Sequence, residues 1–248
     1  MAAMNPAMNE KTFTNPDAAG LYNDIMTLEG TVSKSIYLLG ILLTAGVLGW
    51  KVAISPSLSQ YAHQILVGGG FLALVVALVT IFKKEMAPTT APAYALLEGL
   101  SLGVLSQVYD QQYSGIVLQA ILLTVAVFFS LLMCYRSGLI NPTENFKLGV
   151  ISATMGILIL YIINFIGRFF GWSLPYLHDS GPIGIGISLV IVVVAALNLV
   201  IDFDFIERGS ERSLPKYMEW YGAFGLLITL VWLYVEILRL LGKLRSQD

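Results

Sequence analysis

The chain has 248 residues, 56% of them hydrophobic and 12% charged, with a formal net charge of −2. An average soluble domain carries about a quarter of its residues charged; this composition, with a mean hydropathy of +0.76, makes lipid the solvent for most of the chain. The charge balance leaves no basic footprint for nucleic acid, the single cysteine, Cys134, excludes an intrachain disulfide, and the two histidines, His63 and His178, lie too far apart to suggest a metal cluster.

Residues 1–31 read as a polar N-terminal tail without the apolar stretch of a signal peptide. Within it, "NPDAAGLYNDIMTLEG" is read as a short helix on the membrane surface. Residues 32–248 then form the membrane domain. Apolar runs of about 20 residues, enough to cross a bilayer, occur seven times. They are Val32–Ile54, Tyr61–Phe82, Ala93–Tyr109, Ser114–Tyr135, Leu148–Phe170, Gly184–Phe203 and Glu219–Leu241, the third being the shortest. All nine prolines, Pro56, Pro92, Pro142, Pro182 and Pro215 among them, fall outside the runs or at an edge, where proline breaks no helix hydrogen bond. The expected fold class is an all-α integral membrane protein, a bundle of seven transmembrane helices whose first span serves as an uncleaved anchor.

Lys and Arg in the connecting loops set the orientation. The N-terminal side collects Lys11, Lys34, Lys83, Lys84, Arg136, Lys147, Arg208, Arg212 and Lys216, against Lys51, Arg168, Arg239, Lys243 and Arg245 on the other. This bias points to a cytoplasmic N-terminus. Trp50, Trp172, Tyr176, Tyr217, Trp220 and Tyr221 near the span ends fit interfacial belts. The glycines at Gly68–Gly70 and in "GPIGIG" lack the strand that a dinucleotide site needs. Gly99 with Gly103, and Gly149 with Ala153 and Gly156, have the spacing of close helix packing instead.

Ionisable side chains at membrane depth cost about 2.5–3.5 kcal/mol each on insertion scales, so Glu98, Asp202, Asp204, Glu219 and Glu236 each call for a reason. Asn198 precedes Asp202 by one turn, which stacks two polar groups on one face of an apolar helix. That face turns to the bundle interior, or else Asp202 reaches the nearby interface. Asp204 is rotated about 200° from Asp202 and belongs either to the same site or to a solvated helix end. Glu98, in "YALLEGLSLG", suits an interhelical hydrogen bond or a role in permeation. Glu219 lies where the helix dipole favours a carboxylate, and Glu236 has the spacing of an ion pair with Arg239. Two such carboxylates within about 4–6 Å cannot both ionise cheaply. A pair of this kind holds a proton and, once it is released, becomes an oxygen site suited to Ca²⁺.

"IDFDFIERG", closing the sixth span, with "VWLYVEILRLLG" in the last and "EGLSLG" in the third, resembles the transmembrane Bax-inhibitor-motif family, and its bacterial branch in particular. The resemblance covers residues 30 to 245. It implies a seven-helix bundle with the last helix at the centre, and a Ca²⁺ leak controlled by pH through acids on the sixth and seventh helices and an arginine on the second. Asp202 matches the sixth-helix acid. The seventh-helix position falls on Thr229, and the second span holds no arginine. An acidic cluster would therefore join Asp202 or Asp204 to Glu219, Glu98 or Glu236.

The functional expectation is a pH-sensitive Ca²⁺ leak or cation-permeation protein in a bacterial inner membrane, with Ca²⁺ as permeant ion and no cofactor. The alternative is a membrane regulator that transports nothing and binds a membrane protease or a stress-response partner through its tail. A retinal protein needs a lysine inside the last span, where there is none, since Lys216 and Lys243 flank it. An enzyme is not expected: His63 has no acid at i±4, and only the sixth span supplies aspartates.

Overall fold

The computed structural model describes residues 25–172, 174, 177 and 179–247. The tail up to residue 24, with most of the expected interfacial helix, and Tyr176 and His178 lie outside them; the last residues of that stretch, 28–30, instead begin the first long helix. The described residues hold seven long helices and no strand: α1 Leu28–Ile54, α2 Ser59–Phe82, α3 Ala87–Gln112, α4 Ile116–Arg136, α5 Glu144–Phe169, α6 Pro182–Glu211 and α7 Met218–Arg245. Six are long and apolar enough to cross a membrane; α3 is not among them. Its sequence, APTTAPAYALLEGLSLGVLSQVYDQQ, is diluted by small and polar residues. Those residues suit a helix that packs tightly against α1, α2 and α7.

The α1–α3 contact shows why. A Cβ on Gly103 would fall 2.0 Å from the Gly46 carbonyl oxygen, and one on Gly99 would fall 2.4 Å from that of Leu42. Only glycine permits this backbone approach, as the spacing suggests. The matching spacing in α5 does no such work, because nothing lies within 4 Å of a Cβ at Gly149 or Gly156. One edge proline also proves interior: Pro92 stands inside α3, early enough that it removes a single hydrogen bond near the helix start. Midway along α2, residues Ile65–Gly69 widen into a π turn. The Ser101 hydroxyl on α3 donates to the Ile65 carbonyl there at 3.1 Å.

The last helix is the most buried. Half of its most apolar stretch is inside, against 11–33% in the other candidate spans, and it packs on α1, α3, α4 and α6. Its residues feed two separate apolar clusters, one through Leu233, Ile237 and Leu238 and the other through Ala223, Phe224 and Leu227. The chain before α1 is tied to the α6–α7 connection, where the Met26 amide donates to the Leu214 carbonyl at 2.6 Å and Ile25 pairs with Pro215.

Candidate functional site

Helix α6 does not stop where its apolar run does. It continues unbroken to Glu211, so Asp202 sits inside a helix rather than at its end. The Asp202 carboxyl points at α7. A Cβ on Gly225 would lie 3.9 Å from its Oδ1, and the Thr229 side chain lies beside it, its hydroxyl donating to the Gly225 carbonyl at 3.3 Å. Its Oδ2 is sealed from solvent and has no hydrogen-bond partner. One turn earlier, the Asn198 amide donates to the Thr154 hydroxyl on α5 at 2.8 Å and to the Val194 carbonyl at 2.8 Å. Asn198 thus pins α6 to α5, while Asp202 looks into the α6–α7 seam.

Thr229 is therefore opposite Asp202, at the position where the resemblance puts a second acid. A hydroxyl there cannot share a proton with Asp202 as a carboxylate would, so the site is built around one titratable group.

Asp204 does not meet water. It is buried, with Lys147 Nζ at 2.6 Å from one oxygen and the Arg208 Nε donating to the other at 2.9 Å. Glu144 closes the network, at 3.3 Å from Lys147 and 3.5 Å from Arg208. The 200° rotation that separates Asp204 from Asp202 sends it to the start of α5, where Lys147 waits.

Glu219 is fully buried. Its Oε1 accepts from the Thr27 amide at 3.0 Å and the Thr27 hydroxyl at 2.8 Å, and Lys216 lies at 2.9 Å. Thr27 is the N-cap of α1 and accepts from the Gly30 amide at 2.9 Å, so Glu219 fastens the first helix to the last. Glu236, also buried, pairs with Arg239 at 3.0 Å, and the Tyr161 hydroxyl of α5 donates to it at 2.7 Å. Glu98 is half-buried beside Tyr94, and no hydrogen bond or ion pair reaches it among the described residues.

Neither Glu219 nor Glu236 joins Asp202 in the expected acidic cluster. A helix rises about 1.5 Å per residue, which puts Glu219 about 15 Å and Glu236 about 10 Å along α7 from Thr229, on opposite sides of Asp202. Among the described residues no three His, Cys, Asp or Glu side chains gather as a metal site. Lys243, which flanks the last apolar run, lies within α7. It is buried inside α7, donating to the Leu177 and Gly184 carbonyls at 2.8 and 2.9 Å.

Thr27, Tyr161 and Lys147 escape sequence reasoning, since their partners lie dozens of residues away. Arg208 carried a local signal, the i,i+4 spacing from Asp204.

Compared with known proteins, the chain matches a family model described as "Bax inhibitor 1 like" over residues 5–246. No curated protein matches it.

Proposed function

The chain belongs to the Bax inhibitor 1 like family, and from that membership we propose that it is a pH-sensitive leak for Ca²⁺, with Asp202 as the group that titrates. The supporting observation is the Asp202 carboxyl itself: its Oδ2 is sealed from solvent without a hydrogen-bond partner, and its Oδ1 faces Gly225 of the most buried helix. Such a placement is costly in an apolar helix, and neither a salt bridge nor a cap accounts for it.

Protonated, the side chain is neutral and the α6–α7 seam stays closed. Deprotonated, it puts a bare negative charge between two apolar helices, and water or a cation must enter to solvate it. The sign follows: flux rises as pH rises and falls as Asp202 takes up its proton. Ca²⁺ prefers six to eight oxygen ligands at about 2.3–2.6 Å. The seam offers the Asp202 carboxylate, the Thr229 hydroxyl and backbone carbonyls, with water supplying the rest. A site that incomplete holds an ion weakly, as passage requires.

In this reading Ca²⁺ is the permeant ion and no resident cofactor or enzymatic step takes part. The protein sits in a bacterial cell membrane with its N-terminus cytoplasmic, and α3 completes a seventh crossing. Liposomes carrying the purified chain are expected to take up Ca²⁺ faster than empty ones, and Asp202→Asn to lose the dependence on pH. Uptake at the empty-liposome level at every pH would overturn the proposal.

One observation favours a second reading, a regulator that binds a membrane protease or stress-response partner. The Met26–Leu214 and Thr27–Glu219 bonds fix where the tail leaves the bundle, as a docking arm requires. Capture of such a partner, lost on deleting residues 1–24 while Ca²⁺ uptake stays at background, would select this reading.

A further inference from the structure

A groove of about 1560 Å³ opens sideways between α1 and α4, floored by α3 and α7. It is lined from Leu28 to Ile54, the whole of α1, and a helix of that length runs about 40 Å, past the roughly 30 Å hydrocarbon core of a bilayer. Its walls are large and branched: Ile36, Leu39 and Val47 on one side, Ile121, Val125 and Phe129 on the other. At the end nearest the α6 C-terminus the lining turns polar, with Tyr135, Arg136, Asn141, Glu207, Arg208 and Glu211.

The shape and chemistry of the groove narrow the occupant. A docked transmembrane helix needs small residues that let backbones meet, but α1 turns those toward α3: a Cβ on Gly49 would lie 2.1 Å from the Leu100 carbonyl oxygen. Small-molecule sites hold about 300–1,000 Å³, less than this groove offers. Flexible hydrocarbon chains fit branched walls that open on the bilayer.

The polar end specifies the headgroup. Arg208 is already engaged by Asp204 and Glu144, whereas Arg136 is exposed and has no ion pair among the described residues. Glu207 accepts from the Tyr135 hydroxyl and is exposed, as is Glu211. A purely anionic headgroup would set its charge beside both glutamates. A headgroup with a phosphate and a primary ammonium satisfies Arg136 and the glutamates together, because the phosphate pairs with the guanidinium and the ammonium donates N–H bonds to carboxylates. A quaternary ammonium has no N–H to give.

We propose that this groove binds one aminophospholipid, with its acyl chains between α1 and α4, its phosphate on Arg136 and its ammonium on Glu207 and Glu211. The site is independent of Asp202 and of any transport.

The test is native mass spectrometry of the full chain, delipidated and then titrated with dioleoyl phosphatidylethanolamine, phosphatidylcholine or phosphatidylglycerol, identical in their chains. One phosphatidylethanolamine is expected to stay bound, with an affinity about tenfold above the other two. Arg136→Gln is expected to weaken retention of all three lipids, which share the phosphate, whereas Glu211→Gln is expected to erase the preference. Val125→Trp, which fills the groove, is expected to abolish retention of all three, and Leu39→Trp does the same from the opposite wall should the first variant lose helicity. Equal retention of the three headgroups, a preference unchanged in Glu211→Gln, retention unchanged in Arg136→Gln, or a second copy of the chain in place of lipid would overturn the proposal.

Discussion

Replacing Glu219 by alanine is expected to loosen the start of α1, and a double-mutant cycle with Gly30 isolates the cause. Alanine strands the Thr27 amide and hydroxyl, which donate to Glu219 at 3.0 and 2.8 Å, and leaves Lys216 and Lys34 without their shared carboxylate. Breaking a buried ionic network costs about 3–5 kcal/mol. The two lysines are 45% and 29% exposed, and water screens them, which lowers the expected loss to about 2–3 kcal/mol. A Cβ on Gly30 would stand 2.0 Å from Glu219 Oε1, so Gly30→Ala must push the carboxylate off Thr27. That loss outweighs the gain of about 0.5–1 kcal/mol from removing a helical glycine, for a net destabilisation of about 1–2 kcal/mol. With Glu219→Ala already in place the obstruction is gone, and Gly30→Ala becomes stabilising by about 0.5–1 kcal/mol. Denaturant unfolding in one detergent, followed by helical circular dichroism on all four chains, reads the coupling. An equal effect of Gly30→Ala in both backgrounds would refute the reasoning.

Gly103→Ala is expected to part α1 from α3, since the new methyl would lie 2.0 Å from the Gly46 carbonyl oxygen; overpacking of this kind costs about 1–3 kcal/mol, readable as a lower unfolding midpoint. Ser101→Ala leaves the Ile65 carbonyl of the π turn without its donor and is expected to cost about 0.6 kcal/mol, the mean for interhelical hydrogen bonds in membranes; no loss would mean that the carbonyl finds another donor. Tyr161→Phe removes the hydroxyl that bridges Glu236 at 2.7 Å and Arg239 at 2.5 Å, with an expected loss of about 1–2 kcal/mol that disappears in a Glu236→Leu, Arg239→Leu background. Thr229→Asp, which places a second carboxyl opposite Asp202, is expected to shift the midpoint of Ca²⁺ uptake to higher pH, because two facing carboxylates resist ionising together.

Hydropathy located the helices, and capping moved their ends. The first apolar run begins at Val32, yet α1 starts at Leu28, because the Thr27 hydroxyl caps it and Glu219 holds the cap. The sixth run stops at Phe203, yet α6 runs to Glu211. The charges that end the run are no obstacle to a helix when Lys147 and Arg208 meet Asp204. Glycine spacing told the same story twice and was right once. Gly99 and Gly103 have α1 against them, whereas Gly149 and Gly156 face open space, and spacing carries no information about whether a partner is there. The register of Asp202 with Asn198 told that this face turns inward, but not toward which helix: Asn198 meets α5 and Asp202 meets α7. The dispersal of the other carboxylates was not legible, since their partners (Thr27, Lys147, Tyr161) come from distant parts of the chain. Position along α7 did hold a clue: Glu219 and Glu236 are too far from Thr229 along one helix for a single site.

The pH dependence of Ca²⁺ uptake by liposomes holding the parent chain or Asp202→Asn decides whether this carboxyl controls permeation. Measured from about pH 4 to about pH 9, the range over which carboxyl groups in proteins titrate, the parent is expected to rise with the slope of a single proton. Asparagine keeps the shape without the charge and is expected to give a flat response. A parent and a variant with the same sloping curve would contradict the role of Asp202.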